Sequence, residues 1–191
     1  MDNRKLSEMS YEDMEKLIED MVSSNENSLS SSNRVEQPKF RILKTYVTLS
    51  ETSKKKTIFS KVAWGKIERY DLRKWDTTLS IPYKGITFSK EELLKFFSIK
   101  KPSLEDSKSL ATYSNGRANA EIYDILLVLS DTTFHNENWK KQICIIDWGY
   151  GKKFDIRKWN DDFKKCSRGI CLNAHEFAVF YNTVLSIMRT E

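Results

Sequence analysis

The sequence predicts an α+β protein built as two tandem units, each made of four antiparallel strands and then one helix. Three observations predict this. The phrase YDLRKW at 70–75 returns as FDIRKW at 154–159. The likeness extends outward: shifted by 84 residues, Trp64-Gly65 falls on Trp148-Gly149, Gly85-Ile86 on Gly169-Ile170, Glu92 on Glu176 and Phe96 on Phe180, with no gap across 62–98. Within each copy, alternating apolar and polar residues, the pattern of a strand, precede one segment of helical spacing.

Residues 1–36 form an acidic arm. They hold four Lys or Arg against nine Asp or Glu, whereas the rest of the chain holds 28 against 18, so an arm of charge −5 precedes a body of charge +10. A basic body suits a polyanionic partner. Ser10 can cap a helix over about 11–22, in which Met14, Leu17, Ile18, Met21 and Val22 share one face. Such a short helix is poorly populated alone. It is read either as a nascent helix or as one that docks, on a protein partner or on the chain's own body. The Ser/Asn-rich stretch 23–33 is expected to be disordered.

The first unit spans 39–98. FRILKTYVTLS (40–50), TIFSKVAWG (57–65) and the DLRKW segment alternate as strands, and KGITF is a short fourth strand. Ser89 and Glu92 then sit where a helix N-cap and its reciprocal Glu belong. Residues 99–119, with Pro102 and Asn115-Gly116, read as a linker. The second unit, 120–188, repeats the grammar with AEIYDILLVLS, QICIIDWG, DIRKW and RGICL, and Asn173 with Glu176 opens its helix. Phe177, Phe180, Tyr181, Val184, Leu185 and Met188 recur there at helical spacing. Both helices are more apolar than one sheet requires. The polar turn before the second strand is four residues longer in the second unit, and its Trp139 is a possible extra aromatic platform.

In the repeated strand, Tyr70 and Leu72, or Phe154 and Ile156, share one face and ask for a core. The opposite face carries Asp71, Arg73 and Trp75, or Asp155, Arg157 and Trp159. The aspartates are read as partners of a neighbouring Arg or turn amide that fix the strand.

Catalysis is not expected. His135 and His175 have no Cys or Ser partner at a telling spacing, and no phosphate-cradling glycine loop appears. No cofactor or metal is expected. Cys144, Cys166 and Cys171 are odd in number, lack a metal spacing and read as structural thiols. The chain has no run of the roughly 20 apolar residues that span a membrane, and its first residues lack the apolar core of a signal peptide. The expected location is intracellular: cytoplasm or nucleoid in a bacterial or viral setting, nucleus in a eukaryotic one.

The order D-[IL]-R-x-W, a loop, [KR]-G-[IL] and a Glu-containing helix resembles the single-stranded-DNA-binding domain of transcriptional positive cofactor four. The second unit is similar to the bacterial single-domain relatives, through LLVLSDTT, ICIIDWG and FDIRKWNDDFKKCSRGICLNAHEF. The resemblance covers about 39–98 and 120–188. It implies curved sheets, and two units paired through their helices, here within one chain as a pseudo-dimer. It also implies that single-stranded DNA, or melted duplex, crosses the sheets with little sequence preference, in support of transcription, replication or repair. RNA binding, or a protein-interaction scaffold with residues 10–22 as docking element, is the alternative.

Unstacked bases need aromatic platforms, and phosphates need cations. Trp64, Arg73, Trp75 and Lys84 are the candidates in the first unit, matched by Trp148, Arg157, Trp159 and Arg168. Trp64 and Trp148 are read equally as core residues or platforms. Lys61, Lys66, Arg69, Lys140, Lys152 and Lys153 are auxiliary cations. Lys61 is matched by Ile145 and Ala63 by Asp147, so the two units need not bind alike.

Overall fold

A computed structural model describes residues 40–100, 104, 108–116, 118–134 and 136–191, and among these described residues it has nine strands and two helices. The arm 1–36, with its expected helix and disordered stretch, lies outside the described residues, as do His135 and part of 99–119. The first sheet is β1 (Phe40–Glu51), β2 (Lys55–Trp64), β3 (Ile67–Asp76) and β4 (Pro82–Phe88), paired in that order and antiparallel throughout. Helix α1 (Lys90–Leu94) follows and runs into a 3-10 turn at Lys95–Ser98. The second sheet has five strands, β5 (Ala111–Ser114), β6 (Asn119–Phe134), β7 (Glu137–Asp147), β8 (Lys152–Asn160) and β9 (Ile170–Leu172), again antiparallel in chain order. Helix α2 (Ala174–Thr190) closes the chain.

Two details differ from the sequence reading. Strand β5 lies within the segment read as linker. Asn115-Gly116 is the turn of a hairpin: Asn115 N–H donates to the Ala118 carbonyl, the Ala118 N–H to Asn115 Oδ1, and Gly116 has φ +75°. This is the turn chemistry of a tight hairpin. The four extra residues of the second unit lengthen its first hairpin instead of its turn, since pairing of β6 with β7 continues out to Phe134 opposite Glu137.

The sheets share their irregularities. Pairing of β1 with β2 slips between Ile42 and Lys44, Thr45 and Val47, and Thr48 and Ser50. Pairing of β6 with β7 slips between Ile122 and Asp124, Ile125 and Leu127, and Val128 and Ser130. Each extra residue bends its strand. The loops after the repeated strand also match. Leu79 and Phe163 both adopt a left-handed backbone, φ 59° and 58°. Ile81 N–H donates to Asp76 Oδ1 at 2.7 Å, and Lys165 N–H to Asn160 Oδ1 at 2.8 Å.

One core joins both sheets and both helices. Capping boxes start each helix, Ser89 with Glu92 and Asn173 with Glu176. From α2, Phe177 stacks on Phe154 of the second sheet at 4.0 Å. One turn on, Phe180 meets Phe59 of the first sheet at 4.9 Å and Phe96 of the 3-10 turn at 5.5 Å. The helix therefore serves both sheets, which explains its excess of apolar residues.

A buried charge also crosses between the halves. Lys141 of β7 holds both carboxylate oxygens of Glu92 and donates to the Thr87 carbonyl at 3.1 Å, while Ser130 Oγ donates to Glu92 Oε1 at 2.6 Å. The Lys141 side chain is 1% exposed and that of Glu92 10%. Glu92 thus caps α1 and neutralises a lysine from the other sheet. The position matching Lys141 in the first sheet is Thr57. Removing one member of such a pair strands the other charge away from water. Lys141→Ala is expected to lower stability by about 3–5 kcal/mol. Urea unfolding measures it, and adding Glu92→Gln is expected to cost less than the sum of the single losses.

Candidate nucleic-acid interface

Opposite residues of antiparallel strands share a face, so the pairing sorts the candidates. Asp71, Arg73 and Trp75 face away from the shared core, opposite Ser60, Ile58 and Lys56 of β2. Asp155, Arg157 and Trp159 do so opposite Cys144, Gln142 and Lys140. Trp64, opposite Ile67, and Trp148 belong to the same outer faces.

The outer faces are not bare. Trp75 is 2% exposed and Trp159 is fully buried. Phe40 lies between Trp64 and Trp75, with ring centroids 4.6 and 5.3 Å away. Trp159 is covered by Tyr113 of β5 at 5.3 Å, by Phe163 at 5.5 Å and by Trp148, stacked nearly parallel at 6.2 Å. The expectation that Trp75 and Trp159 are open stacking platforms is corrected: both are buried, Trp159 within a small second core and Trp75 against Phe40. Bent first strands and the added β5 bring the aromatic covers over them.

The arginines are also committed. Arg73 Nε and Nη2 both donate to Asp71 at 3.0 Å, and Nη1 donates to the Tyr83 carbonyl at 3.2 Å. Arg157 Nε and Nη2 donate to Asp155 at 2.6 and 2.7 Å. Both aspartates are fully buried. Burial, the largest single influence, would lower the Arg157 pKa, but the Asp155 charge, the hydrogen bonds to Asp155 and the neighbouring Cys171 and Cys166 together outweigh it and keep the guanidinium protonated. Its Cζ lies 4.6 Å from the Trp148 ring centroid and 5.5 Å from that of Trp159, within cation–π reach of both indoles. The Cys171 thiol donates to Asp155 at 2.9 Å; burial, then the aspartate charge, pushes its pKa up to about 12. The reading of Asp71 and Asp155 as Arg partners is met: Arg73 and Arg157 are each paired with the aspartate two residues before them.

The glycine of the repeated phrase belongs to the same device. Gly85 pairs with Arg73 across the ladder. A Cβ there would lie 2.6 Å from the Arg73 Cβ, and one on Gly169 2.4 Å from the Arg157 Cβ. Only glycine lets the arginine stem lie flat over the neighbouring strand.

Trp64 and Trp148 are half-buried, with their indole nitrogens buried and without a hydrogen-bond partner. Lys66, Lys84 and Arg168 are exposed, and Arg69 and Lys153 are half-buried on the outer-face parity, opposite Val62 and Ile146. Lys140 is on that face but pairs with Asp161 at 2.9 Å. Two auxiliary cations point elsewhere. Lys61 lies opposite Tyr70 on the core-side face and pairs with Glu68 at 2.9 Å. Lys152 lies opposite Asp147 and over the Tyr123 ring at 4.3 Å. Strand parity explains both. Trp139 is half-buried on the core-side parity, opposite Asn160, so it does not join the outer-face platforms. The sequence reading missed Tyr150, 85% exposed at the β7–β8 turn; its signal is the Gly-Tyr-Gly at 149–151.

All three cysteines are free thiols. Among the described residues, no group of His, Cys, Asp or Glu is placed to hold a metal ion, and no helix is long and apolar enough to cross a membrane. Compared with models of known families and with curated proteins, the chain matches none.

Two outcomes test this geometry. Gly85→Ala and Gly169→Ala are expected to lose about 1–3 kcal/mol each through overpacking against the arginine stems, measured by thermal unfolding. The matched loops are expected to differ in acid. Hydrogen bonds from Ile81 N–H, then from Thr78, hold the Asp76 carboxyl well below the usual range. Its folded pKa is below the unfolded value of about 3.9, so its contribution is complete above that value and fades as pH falls through the folded one. The Ile81 amide resonance is expected to move in that acid range, whereas that of Lys165, held by the Asn160 amide, is not.

Proposed function

We propose that the outer faces of the two sheets bind single-stranded DNA with little sequence preference, in support of transcription, replication or repair. The observation that carries this reading is the pair of half-buried indoles, Trp64 and Trp148, at matched places on two sheets that repeat the same Asp-x-Arg-x-Trp strand. Each indole is held by aromatic neighbours, and Trp148 also by Arg157. A rigid ring loses little freedom when a base stacks on it, and such stacking contributes about 1–3 kcal/mol per base.

In this account Trp75, Trp159, Arg73 and Arg157 form the scaffold, and Trp64 and Trp148 are the platforms. Lys66, Lys84, Lys153 and Arg168 meet phosphates. The resemblance to the positive cofactor four domain supports the same ligand and the pseudo-dimer, since it rests on the motifs that build these faces. The shared core, with α2 touching both sheets, is what a pair of units joined through their helices requires.

Fluorescence anisotropy of a labelled strand of about 20 nucleotides tests the proposal. Binding is expected to resist duplex competitor and to weaken with salt. About four phosphates neutralised correspond to a slope near −3 in log K against log salt. Trp64→Ala with Trp148→Ala is expected to weaken binding at least 10-fold in a folded protein. Tight binding that this double variant leaves unchanged contradicts the platform assignment, and absence of binding at low salt contradicts the function.

A further inference from the structure

The turn between β7 and β8 holds Tyr150 away from the protein. Its side chain is 85% exposed, more than any other large apolar residue described. Exposed aromatic surface of this extent gains nothing for the fold. The turn nevertheless fixes its position. Gly149 and Gly151 on either side have φ +88° and +82°, left-handed values that side chains rarely adopt. The Asp147 carboxylate accepts from the Gly149 N–H at 2.7 Å and from the Tyr150 N–H at 2.9 Å. The turn is therefore braced at its base and open at its tip. Next to it stand Trp148, on the outer face, and Lys153, opposite Ile146 on that same face. The matching turn of the first sheet carries exposed Lys66 at the position of Tyr150.

We infer that Tyr150 is a base-stacking platform at the edge of the second sheet, taking one unpaired base beside Trp148. The inference rests on the proposed single-strand function and adds a site to it. The two turns then differ in chemistry: Lys66 offers a cation to a phosphate, and Tyr150 offers a ring to a base. A ring on a braced turn suits a base of any identity, because every base has a π-face.

The test compares wild type, Tyr150→Ala and Tyr150→Phe on an oligothymidylate and on the same backbone with abasic positions, by anisotropy. Tyr150→Ala is expected to weaken oligothymidylate binding about 5- to 100-fold, while Tyr150→Phe, which keeps the ring, stays within about 3-fold. On the abasic strand the Tyr150→Ala penalty is expected to vanish. Wild-type binding to oligothymidylate that Tyr150→Ala leaves unchanged overturns this inference alone. An equal penalty on both strands also overturns it, since the ring would then be serving the backbone. If wild type binds neither strand, the single-strand function fails and this site with it. Circular dichroism is expected to be unchanged in both variants, as the side chain supports no packing.

Discussion

The structure depends on a buried ion pair laid along one strand. Asp and Arg two residues apart share a face of the sheet, and here, in both sheets, the aspartate is fully buried and the arginine side chain is only 7% or 12% exposed. The guanidinium fork satisfies the carboxylate with two hydrogen bonds, the arrangement that makes burial of opposite charges tolerable. Its demands spread outward. The arginine stem needs a glycine on the neighbouring strand, which sets Gly85 and Gly169. Its flat cation needs covers, which in the second sheet are Trp148 and Trp159. The repeated phrase is thus a recipe for building a face.

The two sheets repeat this recipe but are not interchangeable. The second adds β5, and with it Tyr113 over Trp159. A buried lysine from β7 meets the cap of α1, whereas the matching place in the first sheet holds threonine.

Much of this was legible in the sequence, for physical reasons. Period-two alternation identified the strands and their faces. Ser89 with Glu92 and Asn173 with Glu176 marked both helix starts, and the excess of apolar residues in α2 pointed to a second sheet beneath it. The burial of Trp75 and Trp159 was not legible. Alternation tells which face a side chain takes but not whether that face is covered. The cover comes from Phe40 and Tyr113, brought in by bent strands and by a hairpin whose four-residue β5 is too short to alternate visibly. Lys61 and Lys152 were legible and misread, since counting strand parity from Tyr70 and Phe154 puts them on the core side.

The central claim is a division of labour: half-buried indoles meet the ligand while buried arginines hold the sheet. Nitrogen–proton correlation spectra of the labelled protein, titrated with oligothymidylate, test it most directly. The account predicts that the indole signals of Trp64 and Trp148 move with added strand while the Nε–H signals of Arg73 and Arg157 stay in place. Movement of both arginine signals, with Trp64 and Trp148 unperturbed, would contradict it.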